Sequence, residues 1–199
     1  MSDIKSAKDI AQEKIERVGE VTQADRLRWK YVPEGEKMAT KYLKDGQDLA
    51  AEMAGQSADA KPYIKKGLES VLLAAVVLPQ NEAAQGRSQR ALDGLLVLKQ
   101  DRDAALRLVD QMRQVLSHYN DQGEEQRKAT YETLKGQYEA KLRKAMDKQF
   151  GDVGGLDDQK INVESLPQFH DEWRRVSAQL DLQYLKLLEE FKHELAGVS

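Results

Sequence analysis

Glu190 and His193 are the residues whose spacing most directly suggests chemistry. A Glu-x-x-His pair sets a carboxylate and an imidazole one turn apart on a helix face. Two such pairs with two further glutamates build a di-iron centre in helical bundles. The second pair is missing, because Val115 stands three residues before His118 and Pro167 three before His170. Glu190 and His193 are thus candidate metal ligands without the rest of that set. They equally suit a helix C-terminus, where positive charge is favoured. His170, Asp171 and Glu172 join an imidazole to two carboxylates, but adjacent helical residues point apart and do not converge.

The stretch GDVGGLDD, Gly151 to Asp158, has the glycines of a phosphate cradle and the acids of a calcium loop. It lacks the Gly-Lys-Ser/Thr that opens a phosphate-binding helix. Its aspartates do not fall at the alternating positions of a calcium loop. It reads as a connection between long helices. Arg102 is the one charge in an otherwise apolar stripe. It pairs across a bundle, snorkels to solvent, or meets an anionic ligand between helices.

The most unusual composition lies in RLRWKYVPEGEKMATKYL, Arg26 to Leu43, where Arg26, Arg28, Trp29, Tyr31 and Tyr42 gather within one segment. Trp, Tyr and Arg are the side chains that protein interfaces favour. Aromatics among basic residues can also stack bases. Trp29 and Tyr31 can alternatively dock the N-terminal helices on the rest of the chain. The WKYVPEGEK core resembles the N-terminal segment of helical bacterial proteins of uncharacterised function. That resemblance covers about the first quarter of the chain. It implies a bacterial cytosolic setting, and it brings no activity or site residue with it.

The bulk composition narrows the classes. The 199 residues carry 31 basic and 34 acidic side chains, a net charge of −3. A nucleic-acid binder shows a basic face or stripe, and none stands out. The chain has no cysteine, which excludes disulfides, thiolate nucleophiles and Cys-based metal sites. MSDIKSAKDI has no apolar signal-peptide core, and the longest apolar run, Val71–Leu78, falls far short of the roughly 20 residues of a membrane span. The expected location is the cytoplasm.

Apolar residues recur at spacings of three and four, the period of a buried helix face. The spacing predicts a helix over 3–18, a short turn from Thr22 to Trp29, and a separate helix opened by Pro33 and ended by Asp45-Gly46. GQSADAK, from Gly55 to Lys61, reads as a linker. Pro62 opens a helix running to Leu78. A single long helix is expected from Asn81 to Tyr119, with the seam Ala84, Ser88, Ala91, Leu95, Leu98, Arg102, Ala105, Val109, Met112 and Leu116. Asn120–Gly123 is expected to reverse the chain, making the next helix, through Phe150, an antiparallel neighbour. Ser165 is expected to cap the last helix, whose stripe runs from Leu166 to Leu195 through Phe169, Trp173, Tyr184, Leu187 and Phe191.

The expectation is an all-α protein. Residues 61–199 form an antiparallel bundle of long helices, and residues 1–60 a smaller N-terminal helical appendage. The expected function is that of a non-enzymatic interaction or scaffold protein, with another protein or a further copy of the chain as partner. No cofactor, membrane or nucleic acid is expected. The alternatives are a small-molecule or metal site within the bundle and, second, nucleic-acid association through the Arg/Trp/Tyr segment.

Overall fold

A computed structural model describes residues 21–148 and 162–199 in full and residues 149–150 by their backbone. The helix expected at 3–18 and the GDVGGLDD stretch lie outside the described residues. Every described element is a helix: α1 (Gln23–Asp45), α2 (Leu49–Ala54), α3 (Lys61–Ala75), α4 (Glu82–Leu98), α5 (Arg102–Asn120), α6 (Gln122–Phe150), a 3-10 turn (Val163–Ser165) and α7 (Pro167–Gly197). The all-α expectation is met. The chain forms two compact units. One takes the residues up to Ala75 with Arg90–Leu98, and the other takes Val76–Gln89 with Lys99–Ser199.

In the first unit, Thr22 and Asp25 form a capping box that opens α1. The helix does not break before Pro33 as expected. It runs on to Asp45 with Pro33 inside it, at the loss of one donor toward the Trp29 carbonyl. Packing against α3 outweighs that loss. The two helices meet backbone to backbone, because a Cβ on Gly35 would collide with the Ile64 carbonyl and a Cβ on Gly67 with the Val32 carbonyl. Ala39, Ile64, Leu68 and Leu72 are fully buried. This pairing crosses the boundary expected near residue 60. Gly46, at φ 70°, ends α1. Arg90 donates to the Leu43 carbonyl at 2.7 Å, a cation at a helix C-terminus. Gly94 lets α4 in close, since a Cβ there would stand 2.7 Å from the Tyr42 ring.

The second unit departs from the expected connections in three places. The helix expected to reach Leu78 ends at Ala75. Pro79 disfavours helical backbone before it. The Ser88 hydroxyl then donates to the Val77 carbonyl at 2.9 Å and accepts from the Val77 amide at 3.0 Å. The single helix expected over 81–119 is broken between α4 and α5. Lys99 is extended, and Asp101 accepts from the Ala104 amide as an N-cap. The amides of Gln100 and Asp101, freed by the break, both donate to the Ser199 carbonyl, at 2.8 and 3.2 Å. The third departure concerns Asn120–Gly123, which does not reverse the chain. Asp121 alone separates α5 from α6, and the helical ladder continues through it, from the Asp121 amide to Ser117 and from the Glu125 amide to Asp121. Gly123 is spent on close approach rather than on a turn, for a Cβ there would meet the Tyr184 hydroxyl at 3.2 Å.

The α5–α6 run therefore lies along α7 in one antiparallel register. Lys99 Nζ reaches the Val198 carbonyl at 2.7 Å. The Tyr119 and Tyr184 rings are 5.2 Å apart, and Arg127 lies 3.7 Å from Asp181. Tyr131 meets Trp173 at 5.1 Å, and Tyr138 meets Phe169 at 5.5 Å. Numbers rise along one strand of this pairing as they fall along the other. Phe169, Leu188 and Leu195 are fully buried, whereas Trp173 is half-buried. Leu166 rather than Ser165 precedes α7, and Ser165 instead donates to the Asn162 carbonyl at 2.8 Å.

Candidate functional site

A groove opens where α5 passes into α6 above the middle of α7. Its volume is about 630 Å³. Its apolar part is Val115 from α5 with Leu187 and Phe191 from α7. Four glutamines surround these: Gln111 and Gln114 on α5, Gln126 on α6 and Gln183 on α7. His118 and Tyr184 complete the lining, joined by a 3.0 Å hydrogen bond between His118 Nδ1 and the Tyr184 hydroxyl.

Two stripes place these residues. Ala105, Val109, Met112 and Leu116 form the buried seam of α5. Beside it runs a second row, Ala104, Leu108, Gln111, Val115 and His118, at the same alternation of three and four. On α7, Leu180, Gln183, Leu187 and Phe191 repeat that spacing. Leu187 is 40% exposed, so this row lies at the edge of the packing rather than within it. Two-helix pairing accounts for the coverage: one neighbouring helix covers only part of an apolar arc that is wider than a single seam.

Beside the groove, Arg127 bridges Tyr119 and Asp181. Its guanidinium sits 4.1 Å from the centre of the Tyr119 ring and donates to the Tyr119 carbonyl at 3.4 Å. Burial, reinforced by the nearby Asp181 charge, pushes the Tyr119 phenol up. The cluster fixes the α5–α6 junction onto α7. The groove itself offers four amides, one imidazole, one phenol and apolar surface.

The residues singled out from sequence fall elsewhere. Glu190 and His193 are exposed and share a shallow depression with Glu194 near the end of α7. Among the described residues, no group of three or more His, Asp or Glu side chains is arranged to hold a metal. Arg102 does not lie in a buried seam. It is the first residue of α5 and exposed, because the helix break displaces it from the stripe. Arg26, Arg28 and Trp29 are exposed on α1, Trp29 by 63%. Tyr31 is half-buried with Lys30 Nζ 4.7 Å from its ring centre. Tyr42 is separate from them, its hydroxyl donating to the Arg90 carbonyl at 3.1 Å. His170 and Asp171 are exposed, and Asp171 pairs with Arg174 at 3.5 Å.

Sequence reasoning missed the glutamines because it counted Tyr184, Leu187 and Phe191 as core. The available signal was the second, uncharged row on α5. Among the described residues, no helix is long and apolar enough to cross a membrane. No curated protein and no solved structure matches the chain. A family profile does match, over residues 50–197, which takes in the groove and leaves out the WKYVPEGEK stretch. On that match the chain belongs to the family of unknown function DUF6657.

Proposed function

We propose that this chain is a non-enzymatic helical interaction protein whose docking surface is the α5–α7 groove. The observation that carries this reading is the lining itself. None of its nine residues is Asp, Glu, Lys or Arg, in a chain where 33% of residues are. Interface centres are depleted of charge and hold aromatic and apolar anchors. The setting we take for this activity is the bacterial cytoplasm, as the N-terminal resemblance implies. Arg26, Arg28 and Trp29 offer a further exposed feature on α1. Nucleic-acid association through them is the reading that salt-sensitive binding of single-stranded RNA would support.

The competing reading is a small-molecule site in the same groove, favoured by its 630 Å³, within the range of ligand pockets. Against it stands the groove's openness, since such pockets normally bury most of their ligand. A photo-crosslinking amino acid placed at Leu187 of the full chain tests the proposal in the source cell. We expect covalent protein adducts there and few at Asp171, on exposed surface away from the groove. Equal, background-level adducts at both positions would overturn it.

A further inference from the structure

We infer that the outward face of α1 is a binding surface for single-stranded nucleic acid; the inference rests on the nucleic-acid alternative raised for this helix and is independent of the groove. At about 100° per residue, Arg26, Lys30, Lys37, Lys41 and Lys44 fall within about 60° of one line along the helix, with Trp29 beside them. All six are exposed, and the buried Gly35 and Ala39 lie on the opposite side. The acids of the helix, Asp25, Glu34, Glu36 and Asp45, stand about 80–100° off the line, on its flanks. Arg28 is about 160° away and does not belong to the row. The row exists because α1 continues through Pro33. A break there would leave Arg26 and Lys30 without a common phase with the lysines beyond it, which is why the residue order alone shows no basic stripe.

Charge pairing distinguishes this face from the others. On α6 and α7 exposed cations sit beside acids one turn away, as in Glu124–Lys128, Asp171–Arg174 and Glu172–Arg175. On α1 cations neighbour cations one turn apart: Arg26 with Lys30, Lys37 with Lys41, and Lys41 with Lys44. Such like-charge pairs destabilise a helix. Glu34 and Asp45 lie within a turn of Lys30, Lys37 and Lys41, yet none of these closes an ion pair among the described residues. A polyanion along the row relieves the repulsion and releases its own counterions. Trp29, 63% exposed, adds an indole next to Arg26 and Lys30. An unpaired base stacks on such a ring, and a single strand is the polyanion that offers one. An anionic lipid surface instead takes an apolar helix face, and the apolar face of α1 is packed on α3. From Arg26 to Lys44 the row runs about 27 Å, the length of about eight nucleotides of stacked strand.

Fluorescence anisotropy of a labelled oligouridylate of about 12 nucleotides, titrated with the full chain, tests the inference. We expect binding that weakens about 100-fold between about 50 and 200 mM sodium chloride, the slope of about five phosphate contacts on a single strand. Lys37→Gln combined with Lys41→Gln should weaken binding at low salt and cut that loss to about 20-fold, with unchanged circular dichroism. Lys128→Gln combined with Arg174→Gln, the same change of net charge on α6 and α7, should alter neither. In a Trp173→Phe chain Trp29 is the sole tryptophan, and its emission should fall as the oligonucleotide binds. Absence of binding at the lower salt overturns the inference and the nucleic-acid alternative together. Binding that the two double variants affect alike overturns the row and leaves that alternative standing. Binding without a change in Trp29 emission, or equal binding to phosphatidylserine vesicles, overturns the single-strand assignment.

Discussion

At the scale of single residues, what a side chain does follows from what the opposing backbone allows. Glycine in a helix interior ordinarily costs stability relative to alanine, by about 0.5–1 kcal/mol. Gly136 lies in α6 with open space around it, so Gly136→Ala should raise stability by about that amount. Gly67→Ala should do the reverse and cost about 2–3 kcal/mol, because its Cβ would enter the Val32 carbonyl and force α1 off α3. Urea melts of the two variants check the opposite signs. Aromatic burial gives a second contrast. Phe169 is fully buried between the edges of Tyr131 and Tyr138. Phe169→Ala should cost about 3–5 kcal/mol. Trp173 is half-buried, so Trp173→Ala should cost about half of that. Equal melts for the two would refute the burial assigned to α7.

At the scale of elements, the 3-10 turn before α7 is tied to α6 by one carboxylate. Glu164 accepts from the Tyr131 hydroxyl at 2.8 Å and from Lys135 Nζ at 3.0 Å. The Lys135 donor, and then that of Tyr131, hold its carboxyl below the ordinary 4.5. A depressed carboxylate contributes stability in full above its unfolded value and loses it as pH falls through the folded one. The clamp should thus hold above pH 4.5 and release progressively below it. Hydrogen exchange at the Val163–Ser165 amides should accelerate over that fall in the wild-type chain, beyond the ordinary pH dependence of exchange. In Glu164→Gln it should already be fast at pH 5, with no such release. A protection profile unchanged by the substitution would count against the clamp. The ion pairs on the helix faces behave as surface pairs do. Glu124–Lys128 forms at 2.7 Å with both partners exposed, and Arg175 pairs with Glu172 at 3.5 Å. Such pairs are worth little individually.

At the scale of the whole molecule, the expected division at residue 60 becomes a question of which surfaces a cut would expose. A fragment of residues 61–199 keeps α3 but loses α1, and with it the cover over Ile64, Gly67 and Leu68. We expect that fragment to be poorly soluble or to melt well below the full chain in a thermal scan, because fully buried apolar side chains would face water. A soluble 61–199 fragment of unchanged thermal stability would show instead that residues 1–60 are a dispensable appendage.

Helicity, several caps and the identity of the apolar faces were legible from local spacing alone. Thr22 with Asp25 starts α1, Gly46 ends it and Asn81 caps α4, as their types require, because a cap is satisfied by atoms within four residues of it. What local spacing does not contain is the partner. The seam that runs evenly from Ala84 to Leu116 is interrupted at Lys99–Asp101, where the Ser199 carbonyl, far away in sequence, accepts the freed amides. Gly123 was read as part of a turn because glycine permits one, yet Tyr184 uses it for close approach. Leu187 and Phe191 carry the same periodicity as Leu188 and Leu195, and only the second pair is buried. Periodicity determines which residues share a face. Whether a face is covered depends on non-local neighbours, and that is settled only when α5, α6 and α7 come together.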